Sequence, residues 1–146
     1  MGGDIFAPDA TCTRGQIVTF LYRAEGEPSV SASVSFKDVS SDAYYYKAVQ
    51  WAVANGVTNG IGGDIFAPDA TCTRAQVVTF LYRANHSPAV GTANSFSDVP
   101  AGAYYENAVV WATEKGITNG MGNGCFSPET GCTRGQVVTF LHRAKN

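Results

Sequence analysis

No stretch of this 146-residue chain approaches the roughly 20 consecutive apolar residues that a membrane-spanning helix requires, so membrane insertion is not expected. Positive charge is not in excess either. Ten Lys and Arg face twelve Asp and Glu, for a net charge of −2, which leaves nucleic acid no basic footprint to bind. Charged residues are scarce at 15%, but a hydrophobic content of 45% excludes a disordered chain. Only two histidines occur, His86 and His142, and neither recurs with the cysteines. There is no Cys-x-x-Cys pair, no Gly-x-Ser-x-Gly elbow, no His-Glu-x-x-His pair and no Gly-x-x-x-x-Gly-Lys loop. Catalysis draws on one asymmetric cluster of groups, whereas the polar features here recur, so an enzyme is not expected, nor a metal or other cofactor. The Gly62-Gly63-Asp64 loop lacks the alternating oxygen ligands of a calcium loop and reads as a turn. No basic segment leads into an apolar one at the start, so no secretory leader is read there.

What is present is a repeat. The thirteen residues from Gly2 to Arg14 recur unchanged from Gly62 to Arg74, and return altered from Gly122 to Arg134, a period of 60. A second block, Phe36-x-Asp38-Val39 with Tyr44-Tyr45 and Trp51-Ala52, returns once as Phe96-x-Asp98-Val99, Tyr104-Tyr105 and Trp111-Ala112. The chain therefore divides into a partial repeat at 1–35 and two further repeats at 36–95 and 96–146. Met1 stands where Ile61 and Met121 stand in the later copies, which suggests a boundary inside a longer array.

Each full repeat reads as two helices joined by a Gly-rich loop. The first is expected at about Tyr44–Asn55, with Tyr45, Ala48, Val49 and Ala52 on one face and Gly56 as a left-handed C-terminal cap. Its counterpart runs from about Tyr104 to Lys115. The second helix begins with a capping box: Thr13-Arg14-Gly15-Gln16, Thr73-Arg74-Ala75-Gln76 and Thr133-Arg134-Gly135-Gln136 all place Thr at the N-cap and Gln at the third helical position. Ile17, Phe20, Leu21 and Ala24 then form an apolar face. Stretches 25–35 and 85–95, rich in Ser, Pro and Gly, read as linkers. Three second helices and two first helices make an all-α assembly that is one helix short of threefold symmetry.

Taken in order, Phe36-Lys37-Asp38-Val39, Trp51, Gly56-Val57-Thr58-Asn59-Gly60, Phe66-Ala67-Pro68 and Thr73-Arg74-Ala75-Gln76 resemble the S-layer homology family over essentially the whole chain. The resemblance implies tandem helix–loop–helix repeats in a pseudo-threefold spindle, with short extended segments in the loops. It also implies a bacterial cell-surface location and non-covalent binding of an acidic, often pyruvylated, secondary cell-wall polysaccharide in grooves between repeats. One departure is plain: the family carries Glu where all three copies carry Gln, so any role that needs a carboxylate there is in doubt.

Arg14, Arg74 and Arg134 are the first candidates for the ligand site. A cation at the first helical position opposes the macrodipole, but exposed helix N–H groups and a guanidinium fork together suit an anion such as a pyruvyl ketal. The competing reading is a salt bridge or a solvated side chain. Gly15 and Gly135 are expected to leave the helix backbone accessible. Trp51 and Trp111 are either sugar platforms or core, and Asp38 and Asp98 either accept from sugar hydroxyls, cap a turn or pair with the Arg. Gly60 and Gly120 are turn residues that could let a ligand approach the backbone, while Asn59 and Asn119 offer amides in the same turn. One Tyr of each pair, Tyr44-Tyr45 and Tyr104-Tyr105, packs while the other covers surface or lines a groove. Cys12, Cys72 and Cys132 precede the N-cap as staple residues against Ile17, Val77 and Val137. Cys125, at the far end of one loop from Cys132, is expected to join it in a disulfide. The alternative function is a structural scaffold without carbohydrate binding, in which a homo-oligomer supplies the missing helix.

Overall fold

The computed structural model describes residues 10–30, 36–58, 60, 63–91, 96–118 and 124–145. The fold is all-α, with helices α1 (Arg14–Ala24), α2 (Tyr46–Ala54), α3 (Arg74–Ala84), α4 (Glu106–Glu114) and α5 (Arg134–Lys145). Helices α1, α3 and α5 start where the capping boxes place them. In α1, Thr13 Oγ1 accepts from Gln16 N at 3.2 Å, and Gln16 Oε1 accepts from Thr13 N at 2.9 Å; α3 and α5 repeat both bonds. Helices α2 and α4 start two residues later than expected, because Tyr45 and Tyr105 supply no capping side chain and the preceding residues close as turns. They end as expected. Gly56 (φ +70°) and Gly116 (φ +72°) allow Val57 and Ile117 to turn back and donate to the Ala52 and Ala112 carbonyls at 2.7 and 2.8 Å.

The helices pair across the sequence repeat rather than within it. Helix α1 packs most extensively on α2, and α3 on α4, while α1–α3 and α3–α5 touch more sparsely. The core fills these two pairs, with Ile17, Val18 and Leu21 opposite Val49 and Ala52 in one, and Val77, Val78 and Leu81 opposite Val109 and Ala112 in the other, all essentially solvent-free.

A ring of backbone hydrogen bonds joins the three loops ahead of α1, α3 and α5. Cys12 N donates to Cys132 O, Cys132 N to Cys72 O, and Cys72 N to Cys12 O, at 2.8, 2.9 and 2.8 Å. Flanking bridges pair Thr11 with Thr133, Thr13 with Thr71 and Thr73 with Gly131. Each cysteine therefore faces the other two around a pseudo-threefold axis, and each is fully buried.

This placement corrects the expected disulfide between Cys125 and Cys132. Cys132 is locked into the central ring, whereas the half-buried Cys125 lies 3.9 Å from Ser97 Oγ at the loop's outer end, and no disulfide joins them. Burial, reinforced by the Cys132 thiol, pushes Cys12 up to about 12 from 9.0. Burial also raises Cys132 to about 11, and Cys72 is pushed up still further.

Candidate functional site

Along α3, Gln76, Thr79, Phe80 and Arg83 stand at positions i, i+3, i+4 and i+7, and so share one face. That face forms a wall of a groove of about 290 Å³, completed by Arg14 from the start of α1, Thr58 and Gly60 from the turn after α2, and Tyr104 from just before α4. Three successive repeats thus contribute to one site. The turn is tight. Gly60 has φ +86° and donates to Thr58 Oγ1 at 3.0 Å, and a Cβ there would lie 2.5 Å from Phe36 Cε1 and 2.6 Å from Ile65 O. Only glycine fits.

Arg14 is 4% exposed. Its Nε donates to Phe66 O at 2.8 Å, and its guanidinium lies 4.9 Å from the Phe66 ring centre and 5.3 Å from that of Phe80. These contacts fix the plane of the fork. No carboxylate among the described residues comes within ion-pair distance, and the two Nη groups have no hydrogen-bond partner among them. Burial lowers the Arg14 pKa, but a guanidinium remains charged. A buried cation with only the longer-range attraction of Asp38 and no ion pair among the described residues is costly, and an anion in the groove would relieve that cost.

The other walls are also donor-rich. Arg83 Nη1 reaches Val57 O at 3.4 Å on the groove's rim. Gln76 gives its oxygen to the capping box, which leaves its amide N–H groups without a partner among the described residues. Thr58 accepts from Gly60 and keeps its hydroxyl proton to donate. Of the tyrosine pairs, Tyr105 is 7% exposed and packs, while Tyr104 is 62% exposed and stands edge-on to it at 4.9 Å on the groove. Tyr44 is the exposed member of its pair in the same way.

The family profile for the S-layer homology domain matches residues 35–78 and 95–138, together more than half of the chain. The chain belongs to the S-layer homology family. It is 34% identical over 119 residues to a cell surface protein of Thermoanaerobacter kivui, an alignment covering 78% of this chain and 16% of that protein. Identity to the surface-layer 125 kDa protein of Lysinibacillus sphaericus is 33% over 144 residues, covering 94% and 12% of the two. A cellulosome-anchoring protein of Acetivibrio thermocellus is 22% identical over 152 residues, covering 97% of this chain and 34% of its own length. The chain thus spans between 12% and 34% of the length of these relatives. As an S-layer homology unit it is a non-catalytic cell-surface anchoring module with a cell-wall-attached location.

The S-layer homology groove gathers Arg14 and Gly60 from the sequence candidates, but not the other described ones. The Asp38 carboxylate accepts from the backbone N–H of Phe66 at 3.0 Å and of Ala67 at 2.8 Å, and Asp98 accepts likewise from Phe126 and Ser127, both at 2.8 Å. Both carboxylates are therefore engaged in pinning the Gly-rich loop. Trp51 and Trp111 are 5% and 4% exposed and pack against Tyr22 and Tyr82, with ring centres 6.1 and 5.7 Å apart. Arg74 is bound like Arg14, through Phe126 O at 2.8 Å, and adds a 3.4 Å bond from Nη2 to Thr118 Oγ1. Asn59, Asn119 and Gly120 lie outside the described residues.

The helix N–H groups expected to help Arg14 are taken. Arg14 N donates to Ala70 O at 3.0 Å, Gly15 N to Pro68 O at 2.8 Å, and Gln16 N to Thr13 Oγ1. A Cβ on Gly15 would lie 3.1 Å from the Tyr45 ring and 3.2 Å from Pro68 O, so close packing rather than accessibility accounts for that glycine. Gln76, Thr79 and Arg83 are not among the sequence candidates, although the i, i+3, i+7 polar stripe on an otherwise apolar helix is a readable signal, and Tyr104 is the groove member of its pair.

Burial raises the Asp98 carboxyl, but the bonds from Phe126 and Ser127 outweigh it and hold the pKa below 3.8. A depressed folded-state pKa contributes stability above the unfolded value and loses it as pH falls through the folded one. Asp98→Ala is expected to cost about 2 kcal/mol at pH 7, with the deficit narrowing in acid, as the pH falls below 3.8. Urea titrations of both proteins at pH 7 and in acid check this, and a deficit that persists in acid would count against it.

Proposed function

We propose that this module anchors its protein by binding an acidic secondary cell-wall polysaccharide in the groove built around Arg14. The observation that carries the reading is the buried guanidinium of Arg14, held in plane by Phe66 and Phe80 with no carboxylate among the described residues within ion-pair distance. A carboxylate of the polymer, such as a pyruvyl ketal, would take two parallel bonds from its Nη groups. Thr58 and Tyr104 supply neutral hydroxyls, and Arg83 a second positive charge, for the rest of the sugar. The relatives' names, a surface-layer protein and a cellulosome-anchoring protein, agree with such an anchor.

Shifting this constellation by the repeat period picks out Thr118, Gln136, Thr139 and Arg143 with Arg74, and Gln16, Thr19, Arg23 and Tyr44 with Arg134, as the corresponding sequence positions. Sedimentation with purified sacculi, before and after acid extraction of their secondary polymer, tests the reading. Binding should vanish with the polymer, and binding that survives extraction would refute it.

A second reading, assembly between copies, draws on the face of α5. Val138 is 43% exposed where its equivalents Val18 and Val78 are fully buried against α2 and α4. A second copy laid on that face would cover it. Sedimentation velocity should then show a dimer in the 146-residue chain that Val138→Asp dissociates.

A further inference from the structure

We infer that Gln76 is a specificity-determining residue, selecting an anionic over a neutral saccharide. The inference rests on the groove being the polysaccharide site. The side chain has two distinct ends. Its Oε1 accepts from Thr73 N at 3.0 Å and completes the capping box of α3, and only an oxygen can do this because the partner is a donor. Its Nε2 therefore points away from the cap, and Gln76 lines the groove together with Arg14 and Arg83. Two N–H donors are thus presented on a wall that carries two guanidinium groups and, among the described residues, no carboxylate.

Glutamate is the informative comparison. It has the same shape, and one of its oxygens would cap Thr73 equally well, with the added advantage of a negative charge in the first turn of a helix. Its second oxygen would face the groove as an acceptor. There it would act as a resident counter-ion for Arg14 and Arg83 and oppose any carboxylate brought in by a ligand. The capping requirement alone is thus met at least as well by Glu, and what Gln adds is positive balance and two donors in the groove. Charge-assisted bonds and like-charge repulsion act together in that exchange, so the effect on an anionic ligand is large and that on a neutral one small.

The test compares the wild-type chain with Gln76→Glu by calorimetric titration. One probe is the acidic polysaccharide extracted from purified sacculi; the other is the same polymer with its carboxyl groups reduced to alcohols. Gln76→Glu is expected to melt at or above the wild-type temperature and to bind the acidic polymer about tenfold more weakly or worse. Its affinity for the reduced polymer should match that of the wild type. Equal affinity of the two proteins for the acidic polymer would overturn the inference, as would an equal loss on both polymers. If the wild type binds neither polymer, it is the polysaccharide reading of the groove that fails.

Discussion

Arg14→Ala is expected to abolish retention on acidic wall polymer, weakening binding about 100-fold, the scale set by removing one partner of a desolvated charge pair. Arg74→Ala provides a built-in control. Both arginines give Nε to a phenylalanine carbonyl at 2.8 Å and lie between two phenylalanine rings. Truncating either should therefore lower stability by a similar amount, about 2–4 kcal/mol for a buried, hydrogen-bonded cation. Only Arg14 stands in the groove with both Thr58–Gly60 and Tyr104, so only its loss should remove binding from protein that is still folded. Paired melting curves and sedimentation with sacculi check both halves. Equal binding losses for the two variants would mean that fold damage, not ligand contact, explains the effect.

The second large effect is alkaline. Cys12 and Cys132 are raised to about 12 and 11 from 9.0, and Cys72 is raised beyond them, in each case chiefly because burial disfavours the thiolate. A group whose folded pKa is raised gives its full stability below the unfolded value and loses it as pH climbs toward the folded one. By pH 11 each of the three thiols should have withdrawn about 2 kcal/mol, enough together to threaten a domain of this size. Denaturant titrations from pH 8 to pH 11 should show this loss, and Cys72→Ala should flatten its slope. A wild-type slope no steeper than that of Cys72→Ala would contradict the buried ring as its source.

What could be read from sequence was what is decided locally. The Thr-x-x-Gln capping box needs residues three apart, and the Gly56 and Gly116 caps need one left-handed residue after a helix; both stand as expected. Arg14 and Gly60 recur at the repeat period, which marked them as candidates. What stayed hidden depends on groups brought from far along the chain. The carbonyls of Ala70 and Pro68 consume the helix donors at Arg14 and Gly15, and the N–H groups of Phe66 and Ala67 claim both oxygens of Asp38. No local pattern announces either. The Cys125–Cys132 pairing looked reasonable as two ends of one loop, but Cys132 belongs to a ring made by three loops in turn. The pairing of α1 with α2 across the linker is also a property of the closed assembly, since a repeat read alone suggests that its own two helices pack together.

The measurement that tests the central claim most directly is a titration of isotope-labelled chain with a short acidic oligosaccharide released from sacculi, followed by NMR. The account predicts saturable binding, with the side-chain signals of Arg14, Gln76 and Thr79 moving together and the Trp51 and Trp111 indole signals staying still. Saturation without movement at Arg14, or movement centred on the tryptophans, would place the polymer elsewhere and contradict it.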